Sequence, residues 1–274
     1  MGVAGAAGSL FSAEARKRYL DRGHRKVEGW LDPFSATVIA DLLDHQLAAG
    51  IRGGVAEIGI HHGKLFMLPY LSLRRDEQGL AIDLFEQQEL NVDRSGRGDR
   101  ERFLDNVRRH AGSDANLKII AGSSLEVRPE QIRGLVGDCR FFSVDGGHTE
   151  ECTLSDLRLA DASIGPDGVV VIDDYFNPSW PEVSVGVARY MTAGDPGLVP
   201  FLMTPNKIFF CRAPFAAAYR DVIYGRERHR FDKTITFYDR PMDMYGIVLK
   251  NGLYYTARRL KRRFEGRPLD NSRG

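Results

Sequence analysis

Two short stretches carry acids in a pattern suited to holding a cation. Ser143-Val144-Asp145-Gly146-Gly147-His148 and Val171-Ile172-Asp173-Asp174-Tyr175 each end an apolar run with carboxylates. If those runs are adjacent strands of a parallel sheet, Asp145, Asp173 and Asp174 converge at the strands' C-terminal ends. Three such charges repel in a partly buried site unless a cation compensates them. Oxygen donors alone select a hard divalent ion such as Mg²⁺, with positions left for water or substrate. The plainer reading makes these acids helix caps or loop residues; their occurrence on two strand ends together favours the cation. His148 follows Asp145 by three residues, at the start of a helix. Its ordinary pKa of about 6.5 suits a general base. Its alternatives are a cap or a fourth ligand, but a hard oxygen site has little use for imidazole.

A second group lies upstream. Glu57-Ile58-Gly59-Ile60-His61-His62-Gly63 ends an apolar run and leads into a predicted helix. Glycines there let the backbone turn tightly beside a ligand, and the helix N-terminus offers free N–H groups. The spacing E-x-G-x-x-x-G departs from the G-x-G-x-x-G of dinucleotide binders, and a carboxylate beside the loop speaks against pyrophosphate. It suits a ligand with a cationic or hydroxyl-rich part. Asp83 closes the next apolar run, where an acid can accept both hydrogen bonds of a ribose diol. Together these features point to a nucleoside-type ligand, against the plainer reading of a tight turn and a cap. Tyr175 and Trp180 follow the Asp173-Asp174 pair in a Pro-rich loop and are candidates to line an acceptor pocket; a loop anchored by its own aromatics is the alternative.

Positioning these residues requires a particular scaffold. Apolar runs at 55–58, 80–83, 117–120, 140–144 and 168–172 alternate with helical patterns at 63–73, 100–110, 128–135, 149–162 and 184–191. Continuous Val/Ile runs alternating with helices indicate a parallel sheet covered on both faces. Residues 201–204 and 207–211 flank Pro205-Asn206 as an antiparallel hairpin at the sheet edge. The expected fold is α/β: a doubly wound, Rossmann-like, mostly parallel seven-stranded sheet. Residues 1–50 form a helical N-terminal segment, 51–213 the ligand-binding domain, and 214–274 a basic C-terminal extension, either of the flanking parts a candidate lid or dimer contact. In such sheets ligands bind outside the strands' C-terminal ends. The polar stretch from Asp83 to Asp99 is long for a strand-to-helix connection, as functional loops often are.

Composition excludes other classes. With 274 residues, 43% hydrophobic and 27% charged, the chain is neither disordered nor fibrous. The net charge of +1 divides into +7 over residues 216–274 and −6 before them. The basic cluster of Arg258, Arg259, Lys261, Arg262 and Arg263 is read as a solvated face or a contact to the acidic body rather than a nucleic-acid site. Three cysteines without C-x-x-C spacing argue against disulfides or a zinc knuckle. With no apolar run of membrane-spanning length and no signal-peptide pattern, a cytoplasmic protein without a transmembrane segment is expected.

Taken together, the run from Glu57 to Phe210 resembles the class I S-adenosylmethionine-dependent methyltransferases. Within them it is similar to the metal-dependent O-methyltransferases that act on macrolide sugars. The matching pieces are Glu57-x-Gly59-x-x-x-Gly63, Asp83, Asp145-Gly146-Gly147-His148 and Asp173-Asp174. The resemblance implies that Glu57 and Gly59 bind the methionine end of the cofactor and Asp83 its ribose, with Gly63 a further cofactor-binding residue. It puts Ser123 and Ser124 on the adenine side, gives Mg²⁺ to Asp145, Asp173 and Asp174, and makes His148 the base. Some relatives have Glu-Asp where this chain has Asp173-Asp174, which shortens one ligand. Chain length, residues 57–64 and the 83–99 loop are also similar to the methyltransferases of methylmannose polysaccharide synthesis, implying the 1-hydroxyl of a 3-O-methylated mannoside as acceptor. A catechol-type phenol is the rival acceptor, and a non-catalytic sensor of the cofactor the rival class.

Overall fold

The computed structural model describes residues 8–247. Helix α1 (Ala13–Asp21) starts at Ser12, whose side chain accepts from the Ala15 amide. Helix α2 (Pro33–Ala48) starts at Asp32, which accepts from the Ser35 amide at 2.9 Å, with Pro33 in the first turn where its missing N–H costs nothing. Strand β1 (Gly54–Ile58) follows, then a short α3 (Met67–Tyr70), β2 (Gly79–Asp83) and α4 (Arg100–Ala111). Next come β3 (Leu117–Ala121), α5 (Pro129–Val136), β4 (Cys139–Val144), α6 (Glu150–Ser163), β5 (Ile164–Ile172) and α7 (Pro181–Thr192). The chain continues through β6 (Val199–Met203), β7 (Ile208–Cys211), α8 (Ala216–Glu227), β8 (Phe231–Phe237) and β9 (Arg240–Tyr245).

These strands form one sheet in the order β3-β2-β1-β4-β5-β7-β6-β9-β8. The first five are parallel; β7 is antiparallel to both β5 and β6. The α/β, doubly wound class expected from the alternating pattern is present. The sheet has nine strands rather than seven, because the segment after residue 214 contributes α8, packed against α2, and the β8–β9 hairpin, which pairs with β6. The cluster at 258–263 lies outside the described residues. The predicted helix over 63–73 shrinks to the four residues of α3, with turns on either side.

Alternation along the strands supplies two cores. Phe141, Val169 and Val171 face one side, against Val38, Leu42, Phe66, Phe103 and Tyr219. Phe142, Val170 and Ile172 face the other, against Ile132, Leu157, Val183 and Val187. Side chains one residue apart point to opposite faces of a strand, so a continuous apolar run suits a sheet covered on both sides. Among the described residues no helix is long and apolar enough to cross a membrane, and Cys139, Cys152 and Cys211 are free and buried.

Candidate active site

Strand register brings the acids together. In the parallel pairings Ile58 lies beside Val144, and Val144 beside Ile172. The next residues along, Gly59, Asp145 and Asp173, therefore emerge side by side at the sheet's C-terminal end. The Asp145 amide donates to the Ile58 carbonyl at 2.9 Å, and the Asp173 amide to the Val144 carbonyl at 3.0 Å. Gly59 adopts φ +83°, and a Cβ there would lie 1.7 Å from the Asp145 carbonyl oxygen, so only glycine fits.

A cavity of about 640 Å³ opens over this edge. Its lining includes Glu57, Gly59, Asp83, Ser123, Ser124, Asp145, His148, Asp173, Asp174 and Trp180. Two residues expected at the site are elsewhere. Gly63, at φ +81°, lies behind the loop with its absent side chain's place taken by the Phe103 ring. Tyr175 is 3% exposed and packs into the second core, against Phe176 and Phe237.

At the β1 end, the Glu57 carboxylate is 2% exposed and its Oε2 has no hydrogen-bond partner. Burial, followed by the charge of Asp145, holds its pKa well above the usual range, against the pull of Lys207. Asp83 accepts from the amides of His61 (2.8 Å) and Phe85 (2.7 Å), which fix its carboxylate at the end of β2. Burial raises its pKa against the pull of those two amides. Ser123 accepts from the Leu125 amide and, with Ser124, walls the cavity after β3.

The acidic cluster differs from the expected set of three aspartates. Ile172 pairs with Ile208 in the antiparallel register, so Asp173 faces Lys207 across the same two strands. The fully buried Lys207 ammonium forms an ion pair with Asp173, and the Asn206 amide donates to Asp173 at 2.8 Å. Burial opposes charging of Lys207, but Asp173, Asp145 and Glu57 outweigh it and hold its pKa up. This chain thus supplies one compensating cation itself. The ligand atoms that lie within 4.8 Å of one another belong to Asp145, His148 and Asp174. The Asp145 and Asp174 carboxylates beside His148 fit a hard divalent cation, with Asp173 engaged by Lys207.

His148 is gripped on both ring nitrogens. Its Nδ1 lies 2.8 Å from Asp93 Oδ2, and its Nε2 lies 3.1 Å from Asp174 Oδ2 and 3.9 Å from Asp145 Oδ1. Burial works against the charged ring, yet the hydrogen bonds to Asp174 and Asp93 prevail and raise the His148 pKa to about 10. Asp174 sits at φ +54°, with Oδ1 accepting from the Asn177 side chain at 2.7 Å. The indole of Trp180 stacks on the His148 ring, centroids 4.4 Å apart. Asp93, Lys207 and Asn206 were not singled out as site residues in the sequence. Lys207 left one signal, a lone charge opening the apolar run 207–211. Trp30, 80% exposed at the cavity's mouth against His61, left none.

Residues 56–175 match the family model of a methyltransferase domain. No curated protein matches the sequence. Among solved structures, the O-methyltransferase NovP superposes with a TM-score of 0.54 at 17% identity, over 65% of this chain and 80% of its own. The SAH-bound methyltransferase PaMTH1 of Podospora anserina superposes with a TM-score of 0.50 at 12% identity, over 73% of this chain and 88% of its own. Both likenesses are of fold.

Proposed function

We propose that this methyltransferase domain transfers a methyl group from S-adenosylmethionine to a carbohydrate hydroxyl, with a divalent cation, Mg²⁺ in the first instance, in the cluster beneath His148. The observation that carries the reading is the unpartnered, buried Glu57 carboxylate in the same cavity as Asp83 and the His148 cluster. The ligand such a site takes has a cation at one end, a ribose in the middle and a reactive centre facing the histidine. The cavity volume lies within the usual range for small-molecule sites.

Glu57 receives the ammonium of the methionine end. Asp83, held by two backbone amides, keeps lone pairs for the ribose hydroxyls. Ser123 and Ser124 flank the adenine. When bound, the sulfonium supplies an electrophilic methyl group whose carbon–sulfur bond breaks as the carbon–oxygen bond forms, the electron pair leaving with sulfur. The divalent cation, held by Asp145 and Asp174, supplies charge that favours ionisation of the acceptor hydroxyl. With Asp145 and Asp174 holding the cation, His148 Nε2, which faces them, would be the group that takes the hydroxyl proton. Trp180 holds the ring upright and presents an aromatic face to a sugar. Alignment of donor and acceptor accounts for much of the rate. The finer reading, that the acceptor is a 3-O-methylated mannoside taken at its 1-hydroxyl, rests on the resemblance of the 57–64 and 83–99 segments.

Turnover of S-adenosylmethionine on short mannosides, a macrolide sugar and a catechol, each with Mg²⁺ and with excess chelator, tests the reading. Metal-dependent product on a sugar, with the methylated position identified by NMR, is the expected result. Full activity in chelator removes the cation, and product on the catechol alone removes the carbohydrate.

A further inference from the structure

We infer that Asp93, carried by the 84–99 loop, is the positioning residue for His148. The inference rests on the methyl-transfer reading for its kinetic consequence, but its structural content stands on geometry. Asp93 lies more than fifty residues from His148 in sequence, in a polar loop of residues 84–99 with only a short helical turn at Gln88–Leu90. Its side chain is nonetheless only 7% exposed. Asp93 Oδ2 accepts twice from one residue: from the His148 backbone amide at 2.6 Å and from ring Nδ1 at 2.8 Å. The other oxygen accepts from the Ser95 amide at 2.8 Å, which fixes the carboxylate within its own loop.

This double grip has a directional consequence. A ring that donates its Nδ1 proton to Asp93 turns Nε2 toward Asp174 and Asp145, into the cavity. A neutral imidazole so held keeps its proton on Nδ1 and its lone pair on Nε2, the tautomer a base needs. Burial opposes the ionisation of Asp93, but the His148 and Ser95 hydrogen bonds outweigh it and hold its pKa well below the usual carboxylate range. The same loop contributes Leu90, Asn91, Val92 and Ser95 to the cavity wall.

The test uses full-length wild type, Asp93→Asn, His148→Ala and the double variant. A change confined to the ring's orientation lowers kcat by roughly 10- to 100-fold, as removal of partners that orient a reacting histidine does. The Kd for S-adenosylmethionine, read by calorimetry, and the acceptor KM stay within about threefold, because no cavity-wall residue is altered. In the His148→Ala background, Asp93→Asn has no further effect on residual turnover, since the two act as one unit. A readout independent of turnover is the downfield ring N–H proton of His148 in NMR, present in wild type and lost in both single variants. Unchanged kcat in Asp93→Asn, or a kcat loss matched by equal loss of cofactor binding and of melting temperature, overturns the positioning role. If wild type transfers no methyl group, the proposed function fails while the NMR signal still reads the Asp93–His148 bond.

Discussion

Single side chains here carry charge where a protein interior normally excludes it. Lys207 is fully buried among Asp173, Asp145 and Glu57. Removing one partner of such a group leaves uncompensated charge, at a cost of about 3–5 kcal/mol. Lys207→Met is expected to lose stability on that scale in chemical denaturation. Because the two residues share one interaction, Lys207→Met with Asp173→Asn is expected to lose less than the sum of the single losses. Asp156, fully buried on α6 beside Gly146, shows the opposite case. Burial, against the pull of Ser124, pushes its pKa from 3.8 up to about 7. Between those values the unfolded chain gives up a proton that the folded chain keeps, so stability falls as pH rises through this window. Asp156→Asn is therefore expected to raise stability at pH 8 by on the order of 1–4 kcal/mol and to change it little at pH 4. Thermal melts of both proteins at the two pH values check the sign.

At the scale of elements, register does what no single residue can. The parallel pairings put Asp145 and Asp173 on neighbouring strand ends, as two acidic run-ends in a doubly wound sheet lead one to expect. An added Cβ at Gly59 would strike the Asp145 backbone, so Gly59→Ala is expected to destabilise by about 1–3 kcal/mol and abolish cofactor binding. Circular dichroism melts with ligand titration measure both effects. The strands β1 to β5, their helices and most cavity acids were legible because each belongs to a locally periodic βα unit. The Lys207–Asp173 pair was not, since it depends on β7 inserting between β5 and β6 in a particular antiparallel register. Asp93 stayed hidden for a related reason: a loop acid acquires a partner only when the loop folds back across the sheet. Tyr175 was misplaced because a strand-end aromatic reads the same whether it turns to the cavity or to the core; here Phe237 of β8, outside the expected domain, draws it into the core.

Across the whole molecule, the parallel sheet and the segments around it divide the work. The sheet's C-terminal edge carries the charged residues, while residues 22–31 and 84–99 close over it from outside the strands. Lys64 donates to the Gly29 carbonyl at 2.6 Å, tying the N-terminal segment to the glycine loop, and Trp30 reaches the mouth. Both tryptophans of the chain line this cavity, so ligand entry is expected to change intrinsic fluorescence, and Trp30→Phe with Trp180→Phe to abolish the change. The segment after residue 214 extends the sheet by the β8–β9 hairpin, whose Phe237 supports the second core. The proposed function requires one cavity to hold S-adenosylmethionine by Glu57 and Asp83 and to present it to His148. Calorimetric titration of the full-length protein with S-adenosylmethionine tests this most directly. One site per chain is expected, weakened at least tenfold in Glu57→Gln and in Asp83→Asn but little changed in His148→Ala. Absent binding, or binding indifferent to Glu57, would contradict it.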